Sequence, residues 1–133
     1  MIFIDSNIPM YLVGTPHRFK TEAQILVERS VAAGERMVTD AEVLQEILHR
    51  YTAIHGRDAI AAALEAVRGF VDEVFPVEKS DVIRAAEILQ NPAALSARDA
   101  LHLAIMERYR IPRIMSFDAD FDRWPGITRV YAV

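Results

Sequence analysis

Short apolar runs alternate with stretches of helical periodicity along the whole chain. Met1–Ile4 is apolar, contains β-branched residues and stops abruptly at Asp5, the pattern of a buried strand. Ser6–Leu12 reads as a short helix, with Pro9 in its first turn, where a missing N–H does little harm. Gly14–Lys20 reads as a loop. Ala23, Leu26, Val27 and Val31 then lie on one helix face that Gly34 closes. Arg36–Val38 is the second strand. Thr39-Asp40-Ala41-Glu42 has the form of a capping box, and Val43, Leu44, Ile47, Tyr51 and Ile54 form the stripe of the helix it opens. Ile60, Leu64, Val67 and Val71 mark the next helix. Val74–Val77 is a short strand that Pro76 assigns to a sheet edge. Val82, Ala85, Ala86 and Leu89 give a helix stopped at Asn91-Pro92. Ser96 caps a helix reaching Tyr109. Ile114–Phe117 is a strand, Asp118–Gly126 a loop and Arg129–Val133 a last strand.

Strands alternating with helices imply an α/β fold with a mainly parallel sheet covered on both faces. No repeat, low-complexity stretch or linker interrupts the pattern. The 133 residues suit a single domain over 1–133 with one sufficient core.

The absence of cysteine removes disulfides, thiolate-held zinc and thiol nucleophiles. The longest apolar run, Ala59–Leu64, is far short of a membrane span, and no basic region precedes the first strand as in a signal peptide. A cytoplasmic protein without membrane attachment is the expectation. The net charge of -4 is unusual for a nucleic-acid binder. The basic residues are 13 Arg and 2 Lys, a skew that genome composition explains as well as phosphate binding does.

Isolated glycines exclude Walker and dinucleotide loops, and no serine stands in a G-x-S-x-G elbow. Histidines 17, 49, 55 and 102 lack zinc-ligand spacing. An active site must therefore be built from carboxylates, or there is none. Asp5 closes the first strand and Asp118 the fourth. If those strands are neighbours, the two acids converge where open parallel sheets bind ligands. Converging acids repel unless a cation neutralises them, and oxygen ligands suit Mg²⁺ or Mn²⁺.

Each acid also has a plain structural reading. Asp5 is an alternative N-cap, and Asp118, Asp120 and Asp122 are favourable turn residues. Glu46 is spaced for an i,i+4 pair with Arg50. Asp99 sits where a capping box from Ser96 would place it. However, the helix it opens is apolar nearly all round, and a carboxylate entering a buried helix is costly unless paired or metal-bound. His102 reads as a core or edge histidine with a hydrogen-bonded ring, or as a neighbour supporting Asp99. Trp124 reads as a packing anchor for its loop.

Met1–Asn7, Val43–Ile47, Ser96–Ala104 and Ser116–Asp122 together resemble the four motifs of PIN-domain ribonucleases, and the compact length resembles a VapC-type toxin. The resemblance covers essentially the whole chain. It implies a three-layer sandwich around a parallel five-stranded sheet of order 3-2-1-4-5. It also implies a metal-dependent endoribonuclease in which Asp5, Glu46, Asp99 and Asp118 hold one or two Mg²⁺ or Mn²⁺ ions. Asp120 or Asp122 is an alternative fourth acid, and Ser6, Asn7 and Ser116 are ligand-orienting positions. The reaction implied is in-line attack of water on an RNA phosphodiester, giving 5′-phosphate and 3′-hydroxyl ends. The implied partners are RNA, a cognate antitoxin and a second copy in a homodimer. Ile8, Met10, Tyr11, Leu12, Leu26 and Val27 serve either as partner surface or as core. Arg18, Lys20, Arg50, Arg98 and Arg123 are candidates to guide the RNA backbone.

Two other classes compete. One is a catalytically silent PIN-like domain that binds RNA or protein. The other is a Mg²⁺-dependent phosphoryl-transfer enzyme using a strand-end aspartate. Asp5-Ser6-Asn7 lacks the second acid of the dehalogenase pattern, and receivers need a later strand-end lysine that is absent here.

Overall fold

The computed structural model describes residues 1–92 and 95–132. Five strands form one parallel sheet: β1 (Ile2–Ile4), β2 (Met37–Asp40), β3 (Glu73–Phe75), β4 (Arg113–Met115) and β5 (Thr128–Val130). Their order is β3-β2-β1-β4-β5, so the first strand of the chain is the middle of the sheet. This is the order the motif resemblance implies. Six helices intervene: α1 (Asn7–Val13), α2 (Arg18–Ala32), α3 (Ala41–Ala53), α4 (Ile60–Phe70), α5 (Lys79–Ile88) and α6 (Ala97–Tyr109).

Strand periodicity sorts the core into two layers. Phe3, Val38 and Ile114 point to one face, where they pack with Val43 and Ile47 of α3, Val67 of α4, Ala85 and Ile88 of α5 and Leu103–Met106 of α6. Ile2, Ile4, Met37 and Met115 point to the other face, against Ile8 of α1 and Ala23, Leu26 and Val27 of α2. Ile8, Leu26 and Val27 are thus core residues, so of their two readings the partner surface falls away and core packing holds. Met10, Tyr11 and Leu12 remain half-exposed.

The order places a crossover at the centre. β1 pairs with β2 on one side and with β4 on the other, Phe3 lying opposite both Val38 and Ile114. The strands' carboxyl ends therefore open a crevice between β1 and β4. The Asp5 amide still donates to the Met115 carbonyl at 3.1 Å, carrying the pairing one residue past β1.

Several boundaries differ from the sequence reading for local reasons. The α3 cap is Asp40, not Thr39: Asp40 accepts from the Val43 amide at 2.9 Å. The Thr39 hydroxyl instead donates to the Ile4 carbonyl at 2.7 Å, which keeps Thr39 in β2. β3 starts at Glu73 and ends before Pro76, at the sheet edge as expected. Of the last strand expected over Arg129–Val133, Val133 lies outside the described residues and the strand ends at Val130.

Helix ends follow expectation at Ser96, whose hydroxyl accepts from the Asp99 amide at 3.1 Å. At the far end of α6, Arg110 adopts a left-handed conformation with φ 55°. The Ile111 amide bonds back to the Met106 carbonyl, a closure usually made with glycine. His55, after α3, closes that helix the same way with φ 57°. No helix among the described residues is long and apolar enough to cross a membrane.

Candidate active site

Four separate segments meet at the carboxyl ends of the central strands. A cavity of about 250 Å³ there is lined by Asp5, Ser6, Asn7, Glu46, Ser96, Arg98, Asp99, Asp118 and Asp120. Five carboxylates and one guanidinium thus share a single opening.

Asp5 is the most firmly held. It is buried, its Oδ1 accepts from the Ser6 amide at 2.8 Å, and its Oδ2 accepts from the Ser116 hydroxyl at 2.6 Å and from Asn7 Nδ2 at 3.2 Å. Asn7 Nδ2 also reaches Ser116 Oγ at 3.1 Å, while its Oδ1 accepts from the Phe117 amide at 3.3 Å. Ser116 Oγ in turn accepts from the Asp118 amide at 3.0 Å. Asn7 and Ser116 therefore stitch the segment after β1 to the segment after β4. Ser6 lies on the same wall and bonds the Glu46 side chain.

Asp99 enters from the first turn of α6. Its carboxyl is pushed up to about 6 by burial first, then by the negative charges of Asp5 and Asp118. Burial also raises the Asp5 carboxyl above its ordinary value, against opposing pulls from His102 and the Ser116 bond. Asp118 and Asp120 follow β4, where the Asp120 amide donates to Asp118 Oδ1 at 2.9 Å. Carboxylate oxygens of Asp99, Asp118 and Asp120 lie within 4.8 Å of one another.

Asp122 goes elsewhere. Arg129 grips both of its oxygens at 2.9 Å, and Asp122 does not line the cavity. The acid run after β4 therefore divides, with Asp118 and Asp120 facing inward and Asp122 turned to β5. The basic residues divide too. Arg98 lines the acid cavity and Arg50 the groove beside it, whereas Arg18 borders another hollow near Phe117. Lys20 donates to the Gly14 carbonyl at 2.9 Å, and Arg123 lies 3.4 Å from Asp120.

Glu46 does not use the spacing to Arg50. It turns inward, and His102 Nε2 lies 2.8 Å from its Oε1. Burial alone would raise the Glu46 carboxyl, but the bonds and charges of His102, Ser6 and Arg98 outweigh it and bring the net shift below the ordinary value. His102 is fully buried in α6, with Nδ1 2.7 Å from Asp40 Oδ2. Burial favours the neutral ring, yet the two flanking acids prevail and raise its pKa well above the usual histidine value. The sequence reading left this Asp40–His102–Glu46 chain unseen. Its signal was a histidine inside an otherwise apolar buried helix, where a polar ring must find partners.

The donor set suits a hard divalent cation, because the oxygens are carboxylates and the acids at the opening lack enough cations to balance them. The Asp99 carboxyl, raised by burial first and then by the charges of Asp5 and Asp118, expresses part of that imbalance, and a divalent ion would relieve that part. Next to this cavity runs a groove of about 530 Å³, with Met10, Tyr11, Tyr51 and Ile54 on its apolar walls. Ser6, Asn7, Glu46 and Arg98 border both spaces, so the two adjoin.

The PIN domain family model matches residues 2–127. Ribonuclease VapC13 of Mycobacterium tuberculosis is 57% identical over 130 residues, covering 98% of this chain and 99% of its own. Among solved structures, the crystal structure of Mycobacterium tuberculosis VapC20, described as a Sarcin-Ricin loop cleaving toxin, superposes with a TM-score of 0.78 at 23% identity, over 96% of this chain and 97% of the other. A toxin–antitoxin complex from Klebsiella pneumoniae matches with a TM-score of 0.69 at 18% identity, over 100% of both chains. With that family match, that identity and carboxylates gathered at the sheet's central crossover, the chain belongs to the PIN-domain family, among the VapC ribonucleases.

Proposed function

We propose that the chain is a Mg²⁺- or Mn²⁺-dependent endoribonuclease acting as the toxin of a toxin–antitoxin pair. Asp5, Glu46, Asp99 and Asp118 hold the metal, and Asp120 lies close enough to share the fourth position. One observation carries this reading: acids from four segments, spanning residues 5 to 120, line one cavity.

A divalent ion bound there lowers the pKa of a coordinated water and offsets charge on the leaving oxygen. The remaining work falls to the chain. Ser116, Asn7 and the Ser6 amide hold Asp5 in one rotamer. Asp99, with its carboxyl near 6, is already ionised at pH 7.5 and stands ready to meet a cation. Arg98 stands at the opening to meet a phosphate, and Arg50 extends positive charge into the groove. The apolar walls of Tyr11, Tyr51 and Ile54 accept unstacked bases, which favours exposed RNA loops over duplex. The cut leaves 5′-phosphate and 3′-hydroxyl ends. Phosphoryl transfer through Asp5 is disfavoured because Asn7 stands where the dehalogenase pattern needs a second acid.

The antitoxin belongs to the same reading. A segment lying in the groove would cover Arg50 and Arg98 and close the path to the acids. The toxin–antitoxin complex with the same fold supports such a partner. A single domain over 1–133, a homodimer and a cytoplasmic location complete the proposal. The test is cleavage of total RNA by the purified chain with Mn²⁺, Mg²⁺ or chelator. Asp5→Asn and Asp99→Asn are expected to lose at least about 100-fold. Equal cleavage by wild type and both variants, or full cleavage in chelator, would overturn the assignment.

A further inference from the structure

His102 has no place in the chemistry just described, yet both of its ring nitrogens are engaged beside it. It lies in mid α6, three residues after Asp99, and is fully buried. Phe3 packs against its ring, with centroids 5.3 Å apart. A histidine near acids is an obvious candidate ligand, and atoms of Asp5, Glu46 and His102 do lie within 4.8 Å of one another. The hydrogen bonds exclude that use. Nδ1 is taken by Asp40 at 2.7 Å and Nε2 by Glu46 at 2.8 Å, so neither lone pair faces the cavity.

The partners on either side are acceptors when ionised, and an imidazole facing two carboxylates satisfies both by donating from both nitrogens. Asp40 is itself fixed. Its Oδ1 caps α3 through the Val43 amide, and its Oδ2 faces His102. The chain of bonds thus runs from the N-terminus of α3, across α6, and back to Glu46 in the second turn of α3. It occupies Oε1 of Glu46.

We infer that Asp40 and His102 form a positioning pair that pins Glu46 through Oε1 and so, together with Ser6, holds its carboxylate at the wall of the acid cavity. This rests on the reading of Glu46 as a metal ligand. A glutamate has three side-chain torsions, and fixing them beforehand removes a cost that metal binding would otherwise carry. Partners of this kind, one bond removed from the metal, typically change its affinity about 10–100-fold when lost.

Two variants of equal polarity but different reach separate positioning from mere core packing. In His102→Gln the amide nitrogen reaches the Nε2 position and keeps the bond to Glu46. In His102→Asn it reaches only the Nδ1 position, towards Asp40. Mn²⁺ affinity of the chelator-treated protein is measured by titration calorimetry at pH 7.5, with thermal melting in parallel. Cleavage is followed against Mn²⁺ concentration. His102→Asn is expected to bind Mn²⁺ about 10–100-fold more weakly, with half-activation shifted equally and the rate at saturating Mn²⁺ within about fivefold of wild type. His102→Gln stays within about threefold in affinity. Equal affinities in the two variants overturn the inference.

Should a histidine variant fail to fold, Asp40→Asn carries the same test. Its side-chain oxygen keeps the α3 cap, and its amide donates to Nδ1, which leaves the Nε2 proton on Glu46. Mn²⁺ affinity within about threefold of wild type is expected there, against a loss of about tenfold or more in Asp40→Ser, which keeps the cap but does not reach Nδ1; equal affinities in the two Asp40 variants overturn the proposal. Glu46→Gln separates the two levels. If it binds Mn²⁺ as wild type does, Glu46 is not a ligand and the underlying reading fails. If it binds weakly while both His102 variants bind like wild type, the positioning pair alone fails.

Discussion

Asp99→Asn should stabilise the metal-free protein while destroying its site. The Asp99 carboxyl titrates near 6 in the folded chain, against 3.8 for its unperturbed value. Below the lower value both folded and unfolded chains carry the proton. As pH rises towards 6 the unfolded chain loses its proton first, so stability falls across that window and the loss is complete above it. At about 1.4 kcal/mol per pKa unit the full shift corresponds to ~3 kcal/mol. Asp99 sits at an opening to water, and its charge lies favourably in the first turn of α6, so about 1–2 kcal/mol is the expected net penalty at pH 8. Asparagine has the same shape and never takes up that charge. In chelator at pH 8, the variant should melt about 4–7 °C above wild type, by scanning calorimetry or circular dichroism. At pH 4 the two should melt together. With Mn²⁺ well above its dissociation constant the order should reverse, because the metal stabilises only the protein that binds it. A variant less stable than wild type at pH 8 in chelator, or a gain that does not change between pH 4 and pH 8, would refute the reasoning.

Other outcomes follow from the same geometry. Asp122→Asn should cleave RNA within about threefold of wild type, because Arg129 holds Asp122 away from the cavity, whereas Asp118→Asn should lose at least about tenfold. Ser116→Ala removes the 2.6 Å bond to Asp5 and the acceptor for Asn7 and the Asp118 amide; titration with Mn²⁺ should show about a tenfold loss of affinity, and chemical denaturation about 1–3 kcal/mol of lost stability. Arg110→Gly and His55→Gly should each stabilise the fold by about 0.5–1 kcal/mol in urea titrations, since glycine adopts the left-handed conformation without a Cβ clash. Phe3→Ala, at the centre of the larger core layer, should cost about 3–5 kcal/mol by the same measurement.

The sequence displayed the frame of this protein because its signals are local. A strand of alternating faces that ends on Asp5 needs no distant partner to be recognised. Nor does a helix apolar all round that opens with Ser96 and Asp99. The sheet order was available through the four-motif resemblance, since hydrophobic spacing has no means of ranking strands side by side. What stayed hidden depends on pairs far apart in the chain. Asp118, Asp120 and Asp122 are equivalent as a spacing pattern, and they separate only because Arg129 in β5 claims the last of them. Glu46 looked like a surface partner for Arg50 until α6 brought His102 against it across 56 positions. Thr39 yielded the helix cap to Asp40 because a carbonyl of the neighbouring strand lay within reach of its hydroxyl.

The central place of β1 also bears on synthesis. This strand is flanked by β2 and by β4, and β4 lies more than 100 residues downstream. Asp5 must therefore wait, without Ser116 to hold it, until the more than 100 residues between them have been made. A nascent chain halted within α6 carries three of the four acids but not the strand that gathers them. Until β4 has been made, the carboxylates that line the cavity therefore lack the strand that brings them to one opening.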